Sequence, residues 1–342
     1  MLTTHEVTRL IVLILVIGLY VAAAVLIVSY ATHRLMHPAV AGPPHGALFI
    51  WARRIIFALA GIGLLCFAWG YFVEPYRIEI THIKLTSAKL PRNARTLRFV
   101  QISDLHSEAR PRLEERLPAI IAAQKPDFII FTGDAVNSPK GLATFKRCIS
   151  RVAAIAPTFA VKGNWDVWYE DAMDFFGDGP AIYSPTATGV HELKGEAVNV
   201  TAGGASVWVA GAGCWSRDDL LDAIGKIPQD AYSIVIYHHP NMVDEVAGLP
   251  VGKSGAGADL LCLGHTHGGQ VALPWYGGLV KLDGAARPYE RGLFRVKETW
   301  AYVNRGIGME GSLFPRVRFF ARPEVTVYEL TPLAETHSAS AN

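Results

Sequence analysis

Polar and apolar positions divide the chain into two regimes. Residues Leu10 to Val28 carry no charge and almost nothing polar, and about 20 such residues at ~1.5 Å rise each cross the ~30 Å of bilayer hydrocarbon. A second run, Ile55 to Phe72, is slightly shorter and ends in Trp69, Tyr71 and Phe72, aromatics suited to a membrane–water boundary. The first run is too long for a secretory signal and no small-residue cleavage site stands out before Tyr30, so the pattern predicts two spanning helices. After Glu74 the period changes. Tyr76, Ile78, Ile80 and His82 alternate with Arg77, Glu79 and Thr81, which predicts a half-buried strand. Short apolar strands follow at Leu97–Ile102, Phe128–Phe131, Phe159–Val161, Val207–Ala210, Ile234–Tyr237 and Leu260–Leu263. Helical stretches fall between them at Pro111–Gln124 (bent at Pro118), Gly141–Ile155 and Asp218–Ile227. This alternation implies an α/β domain of stacked sheets with outer helices. The chain is thus read as a membrane anchor over 1–74, with spans near 10–28 and 55–72, a globular domain over 75–332 and a flexible polar tail over 333–342. It contains no internal repeat.

Composition sharpens the picture. Of 342 residues, 51% are apolar and 18% charged, an apolar balance that agrees with part of the chain lying in lipid. A net charge of +2 gives no case for a nucleic-acid partner, which needs a basic face. Cys66, Cys148, Cys214 and Cys262 form no CxxC pair and are read as buried free thiols. The connector between the spans holds Arg34, Arg53 and Arg54 without an acidic residue, which places it in the cytoplasm and both termini, with the globular domain, outside. Arg9, Arg77, Lys84, Lys89 and Arg92 flank the spans on the other side and weaken that lean. The expected location is the cell (inner) membrane, multi-pass.

The chemistry lies at the strand ends. Ser103-Asp104-Leu105-His106, Gly133-Asp134, Gly163-Asn164, His238-His239-Pro240 and Gly264-His265-Thr266-His267 each follow a predicted strand. Singly, an Asp or Asn there is a turn residue. Five in order, each a metal-ligand type beside glycine or a turn, point to one crevice at the carboxyl ends of the strands. In an extended segment Asp104 and His106 share a face, as do His265 and His267. Mixed carboxylate, amide and imidazole donors suit Mn, Fe or Zn better than Ca. Seven ligands exceed the needs of one tetrahedral ion, whereas two ions sharing a carboxylate would use them all. The remaining histidines (His5, His33, His37, His45, His82, His191 and His337) lack such a context.

These blocks resemble the calcineurin-like metallophosphoesterase superfamily, and in particular its small bacterial, membrane-associated branch, whose pattern is D-x-H, G-D, G-N-H-D/E, H-x-P and G-H-x-H. The likeness continues through Gly269-Gln270-Val271, Arg291-Gly292-Leu293, Asn304-Arg305-Gly306-Ile307-Gly308 and Arg322-Pro323-Glu324-Val325, about residues 75 to 331. It implies a four-layer sandwich, two mixed β-sheets between helices. It also implies that one metal takes Asp104, His106, Asp134 and His267, while the other shares Asp134 and takes Asn164, His238 and His265. A hydroxide bridging the two metals would attack phosphorus in line.

The third block departs from the family: Trp165 stands where most relatives carry the histidine that contacts phosphate and protonates the leaving oxygen. Indole donates a hydrogen bond but no proton at neutral pH. General acid catalysis contributes about 10²–10⁴-fold, so its loss penalises alkoxide leaving groups and favours activated phosphodiester or pyrophosphate bonds. His239 could serve as the acid instead. Relatives that cleave UDP-2,3-diacylglucosamine also lack this histidine, which makes such a lipid-linked nucleotide an alternative substrate. Trp165 and Trp168 are candidate substrate contacts, and with Tyr169, Phe175, Phe176 and Trp215 they could line an apolar cleft for a lipid chain. The rival reading, a non-catalytic metal-binding scaffold, predicts lost ligands, and none of the seven is lost.

Overall fold

The computed structural model describes residues 4–36, 46–169, 173–177, 188–249, 257–279, 288–311 and 316–333. His37, His45, His337 and the tail beyond Leu333 lie outside the described residues. Contacts separate the chain into two units, Met1–Val73 and Glu74–Asn342.

The first unit contains α1 (Thr4–Met36) and α2 (Ala47–Phe72). Both outrun the apolar segments read from sequence, because no residue between Val28 and Met36, or between Ala47 and Ile55, stops a helix. At 33 and 26 residues they are about 50 and 39 Å long. Arg34 therefore sits in the last turn of α1, and Arg53 and Arg54 sit within α2 rather than in a connector. Arg54 lies over the Trp51 ring, 5.1 Å from its centroid, a cation–π contact. Both helices are long and apolar enough to cross a membrane, and they associate the chain with one.

The second unit holds two mixed sheets. The first contains β1 (Glu79–Ser87), β2 (Leu97–Ile102), β3 (Phe128–Phe131), β4 (Thr158–Ala160) and β5 (Val190–Glu192). The second contains β6 (Glu196–Ala202), β7 (Ala205–Gly211), β8 (Tyr232–Ile236) and β9 (Leu260–Leu263). A small hairpin, β10 (Ala272–Leu273) and β11 (Gly277–Gly278), stands apart. Then β12 (Gly292–Val296) and β13 (Thr299–Val303) join the second sheet and β14 (Glu324–Pro332) the first. The orders are β1-β14-β2-β3-β4-β5 and β12-β13-β9-β8-β7-β6. Within them β2, β3 and β4 are mutually parallel, as are β7, β8 and β9, so their carboxyl ends face one side.

Side-chain alternation builds the layers. Leu97, Phe99, Phe128 and Ile130 meet Val207, Val209, Ile234, Ile236, Leu260 and Cys262 between the sheets. The opposite faces, Val100, Ile102, Ile129 and Phe131, pack on α3 (Leu117–Ala123) and α4 (Leu142–Ala153). On the far side Val235, Leu261 and Leu263 pack on α6 (Arg217–Gly225) and α7 (Val243–Val246). The result is helix, sheet, sheet, helix, with the short α5 (Asn164–Trp168) at the top of β4.

Two local expectations are corrected. Pro118 does not bend a long helix; it lies in the first turn of α3, which starts at Leu117, where a missing N–H is harmless. In β1 the inward residues are Thr81, Ile83 and Leu85, while Ile80 and His82 face solvent. The later apolar residues, packed between the sheets, set the strand's phase and invert the one read from Tyr76 to His82.

Candidate metal centre

All seven strand-end residues meet in one crevice. Asp104 and His106 follow β2, Asp134 follows β3, Asn164 opens α5 after β4, His238 follows β8, and His265 and His267 follow β9. Asp104, His106 and His267 form one cluster, and Asp134, His238 and His265 another; in each, the ligand atoms lie within 4.8 Å of one another. All but His265 are buried. The shared faces arise differently from expectation. The chain here is not extended: Asp104, His106, Asp134, His265 and His267 have φ of 49°, 41°, 59°, 74° and 51°. These residues lie beyond the strand ends in left-handed turns that aim the side chains inward. Such conformations cost about 1–3 kcal/mol each and collect at functional sites.

The ligand atoms converge. The His238 Nδ1–H donates to the Thr132 carbonyl oxygen at 2.7 Å, which leaves Nε2 facing Asn164 Oδ1 at 3.0 Å and Asp134 Oδ2 at 3.2 Å. Asn164 Oδ1 also lies 2.9 Å from His265 Nδ1. Across the crevice His106 Nε2 approaches His267 Nε2 at 3.1 Å and Asp134 Oδ2 at 3.4 Å, while His267 Nε2 lies 3.6 Å from Asp104 Oδ1. Acceptors this close repel unless protons or cations lie among them, and the mixed donor set fits borderline metals.

Electrostatics differ between the clusters. Burial works against the Asp134 anion, yet His238 and His106 hold its carboxyl well below the ordinary range. Burial lowers His238, but Asp134 overcomes it and raises the imidazole to about 9. His267 is held well below its usual value by burial, with His106 and the Arg318 guanidinium adding to it.

Several residues of the centre were not singled out from sequence. Asp166 is fully buried and accepts the backbone N–H groups of Asp134, Ala135 and Gly163 at 2.8, 2.8 and 2.9 Å. Burial and the neighbouring Asp134 push it up to about 7. Its signal was the fourth residue of Gly163-Asn164-Trp165-Asp166. The close approach it clasps needs glycines: a Cβ on Gly163 would fall on the Asp134 carboxylate, and one on Gly133 (φ 99°) would meet the Gly163 backbone at 2.5 Å. Arg318, also fully buried, lies with Nη2 3.2 Å from His267 Nδ1 and donates to the carbonyls of Arg305, Gly308 and Ala321. Glu310 accepts the Trp165 indole N–H, and burial raises its carboxyl against the pull of His106.

Of the aromatics, Trp165 sits edge-on to His106, with ring centroids 5.6 Å apart, and Trp168 leans on Trp165 with its ring exposed. Phe175 and Phe176 do not line a cleft. They are 1% exposed and belong to the core over the first sheet, against Phe131 and Phe145, because two adjacent phenylalanines lose more water-facing area there than at a rim. Tyr169 packs on the same core. His239 is buried, accepts the Asn241 N–H at 3.1 Å and lies between the rings of His265 and Trp215.

Comparison with known proteins agrees with this geometry. A family model described as calcineurin-like phosphoesterase matches residues 97–269, just over half of the chain. The metallophosphoesterase YkuE of Bacillus subtilis is 29% identical over 294 residues, covering 80% of this chain and 94% of its own. The phosphodiesterase YaeI of Escherichia coli is 29% identical over 288 residues, covering 81% and 98%. The UDP-2,3-diacylglucosamine pyrophosphatase LpxG of Chlamydia muridarum is 24% identical over 334 residues, covering 82% and 97%. The chain belongs to the calcineurin-like phosphoesterases, and it is a metal-dependent hydrolase of phosphoric esters.

Proposed function

We propose that the crevice holds two metal ions and hydrolyses phosphodiester or other activated phosphate bonds. The observation that carries this is the position of Asp134 Oδ2, which faces a nitrogen of each cluster, His238 Nε2 at 3.2 Å and His106 Nε2 at 3.4 Å, as a shared carboxylate must. Asp104, His106 and His267 would complete one ion's shell, and Asn164, His238 and His265 the other's. Two such ions, Mn, Fe or Zn, would supply a lowered pKa for a water and polarisation of a phosphoryl oxygen. The chain's own residues hold the donors: Thr132 sets the tautomer of His238, and Asp166 holds the Asp134 and Gly163 backbones together.

No histidine occupies the position of Trp165, and its N–H is engaged by Glu310. His239 has its Nδ1 turned to a backbone N–H and its ring packed on His265, which leaves Nε2 as the atom that could carry a proton. The first feature supports a preference for good leaving groups, whereas the second keeps His239 as the alternative acid. Likeness to LpxG supports a second reading, cleavage of a pyrophosphate in a lipid-linked nucleotide. For the anchor, Arg34, Arg53 and Arg54 bracket the connector and support two membrane passes with the catalytic domain outside the cytoplasm; a reporter fused at Asn342 tests this. The central test is metal analysis of the purified chain with bis(p-nitrophenyl) phosphate and an alkyl monoester as substrates. The expected result is two ions per chain and faster diester turnover; one ion, or a faster alkyl monoester, would overturn the corresponding half of the reading.

A further inference from the structure

Glu74 comes two residues after Phe72, where the apolar helix ends, so on the membrane-spanning reading its backbone lies at the edge of the hydrocarbon, whatever tilt that helix takes. Within the second unit this residue is firmly held. The Glu74 carboxylate accepts the Ala321 N–H at 2.9 Å, and Arg112 donates both to the Pro75 carbonyl at 2.8 Å and to the Ile307 carbonyl at 3.0 Å. Ala321 in turn gives its carbonyl to Arg318 Nη1 at 2.7 Å, and Arg318 Nη2 lies 3.2 Å from His267. One residue and one buried side chain thus separate the start of the domain from a metal-ligand candidate.

The same edge carries two misplaced aromatics. Trp275, at the tip of the β10–β11 hairpin, is fully exposed with φ 62°, and the half-exposed Phe320 has φ 52°. A bulky residue in the left-handed region with its ring in water gains nothing for folding. The register gives the hairpin's direction. Val271 pairs in parallel with Phe319, through Phe319 N–H to the Gln270 carbonyl at 3.0 Å and Ala272 N–H to the Phe319 carbonyl at 2.8 Å. The hairpin therefore leaves the crevice in the direction taken by Phe319 to Ala321, toward Glu74. Exposed Tyr76, Arg77 and Arg116 stand at the same edge, and Arg116 donates to the Tyr76 carbonyl at 3.5 Å. Aromatic and cationic side chains together suit the headgroup layer of an anionic bilayer.

We propose that Trp275 and Phe320 form a lip that enters the lipid headgroup layer and sets the crevice at the bilayer surface, where its substrates are phosphate esters carried by membrane lipids. This rests on the metal-centre and membrane-spanning readings above, and names the surface from which that centre is served.

The full chain is placed in phosphatidylcholine–phosphatidylglycerol vesicles, in a Cys66→Ser background, with an environment-sensitive fluorophore on Trp275→Cys, Phe320→Cys or Glu298→Cys. Glu298 lies in the β12–β13 turn, at the opposite ends of the strands. Labels at 275 and 320 should shift to the blue and be quenched by nitroxide lipids, while the label at 298 stays in water. Labels at 275 and 320 that behave like the one at 298 would overturn the lip. A Trp275→Ser/Phe320→Ser chain should lose about tenfold on a phosphatidyl p-nitrophenyl ester in the vesicles, because headgroup anchoring scales with buried aromatic area, and keep its rate on bis(p-nitrophenyl) phosphate. Equal effects on the two esters would also overturn it. Failure of the unsubstituted chain to hydrolyse the soluble diester would count against the metal centre and leave the label result standing.

Discussion

The two halves of the metal centre are built by different means. Around Asn164 and His238 the supports are local: Gly163 and Asp166 come from the same short block, and Thr132, which fixes His238, follows β3 directly, two residues before Asp134. Around Asp104, His106 and His267 they come from a late stretch of chain. Ile307 N–H donates to Ser103 and Gly308 N–H to Asp104 at 2.9 and 2.6 Å, Asn137 joins the carbonyls of His106 and Met309 at 3.1 Å each, and Arg318 backs His267. Carboxylates surround His238 and raise it against burial, whereas burial lowers His267, with His106 and the guanidinium behind it adding to the effect. One half is assembled by strand ends; the other depends on a loop some 200 residues away in sequence.

That difference sets an order of effects. Asp134→Asn removes the one carboxylate that faces both halves, so metal analysis should show both ions lost and diester turnover should fall by about 10²–10³-fold or more. Turnover that survived would break the shared-ligand reading outright. Arg318→Met should separate the halves. It leaves the carbonyls of Arg305, Gly308 and Ala321 without their donor, at about 1–3 kcal/mol for each that stays dry, and removes the wall behind His267. Titration calorimetry should find one ion weakened by about 10–100-fold, the range for outer partners of metal histidines, and the other bound nearly as before. Equal weakening of both would show that the two halves are one rigid unit.

This asymmetry also explains what could be read in advance. β2, β3 and β9 are apolar runs closed at once by a turn and a polar ligand, so their bounds were legible to the residue. At β4 and β8 the runs shade into their neighbours, and the ends slip by one or two positions. The seven candidate ligands could be picked out because each carries its own glycine or turn beside it. Their left-handed backbones were not, since period-two alternation presumes an extended chain. Asp166 stood in plain view but acts on backbone N–H groups, which carry no side-chain signature. Arg318 had no signal at all: its surroundings are carbonyls gathered by the fold.

A smaller effect tests the His106 half from the substrate side, where the Trp165 ring sits. Trp165→His restores the residue most relatives carry and frees Glu310. If its loss is what narrows the substrate range, turnover of an alkyl monoester should rise by about tenfold relative to bis(p-nitrophenyl) phosphate, a modest part of what general acid catalysis can supply. An unchanged ratio would mean that another group already delivers the proton, and a pH–rate profile of the variant would show whether His239 is that group.

The smallest effect belongs to Trp168, whose exposed ring reaches the same half through Trp165, with centroids 5.2 Å apart. Trp168→Ser removes surface area without opening a cavity, so stability should move by no more than about 0.5 kcal/mol. Turnover of the soluble diester should stay within about twofold if its indole only covers Trp165. A larger loss confined to KM would extend the substrate's path over this ring and away from the strand ends. The His106 side of the crevice, already held by distant residues, would then also be the side that chooses the substrate.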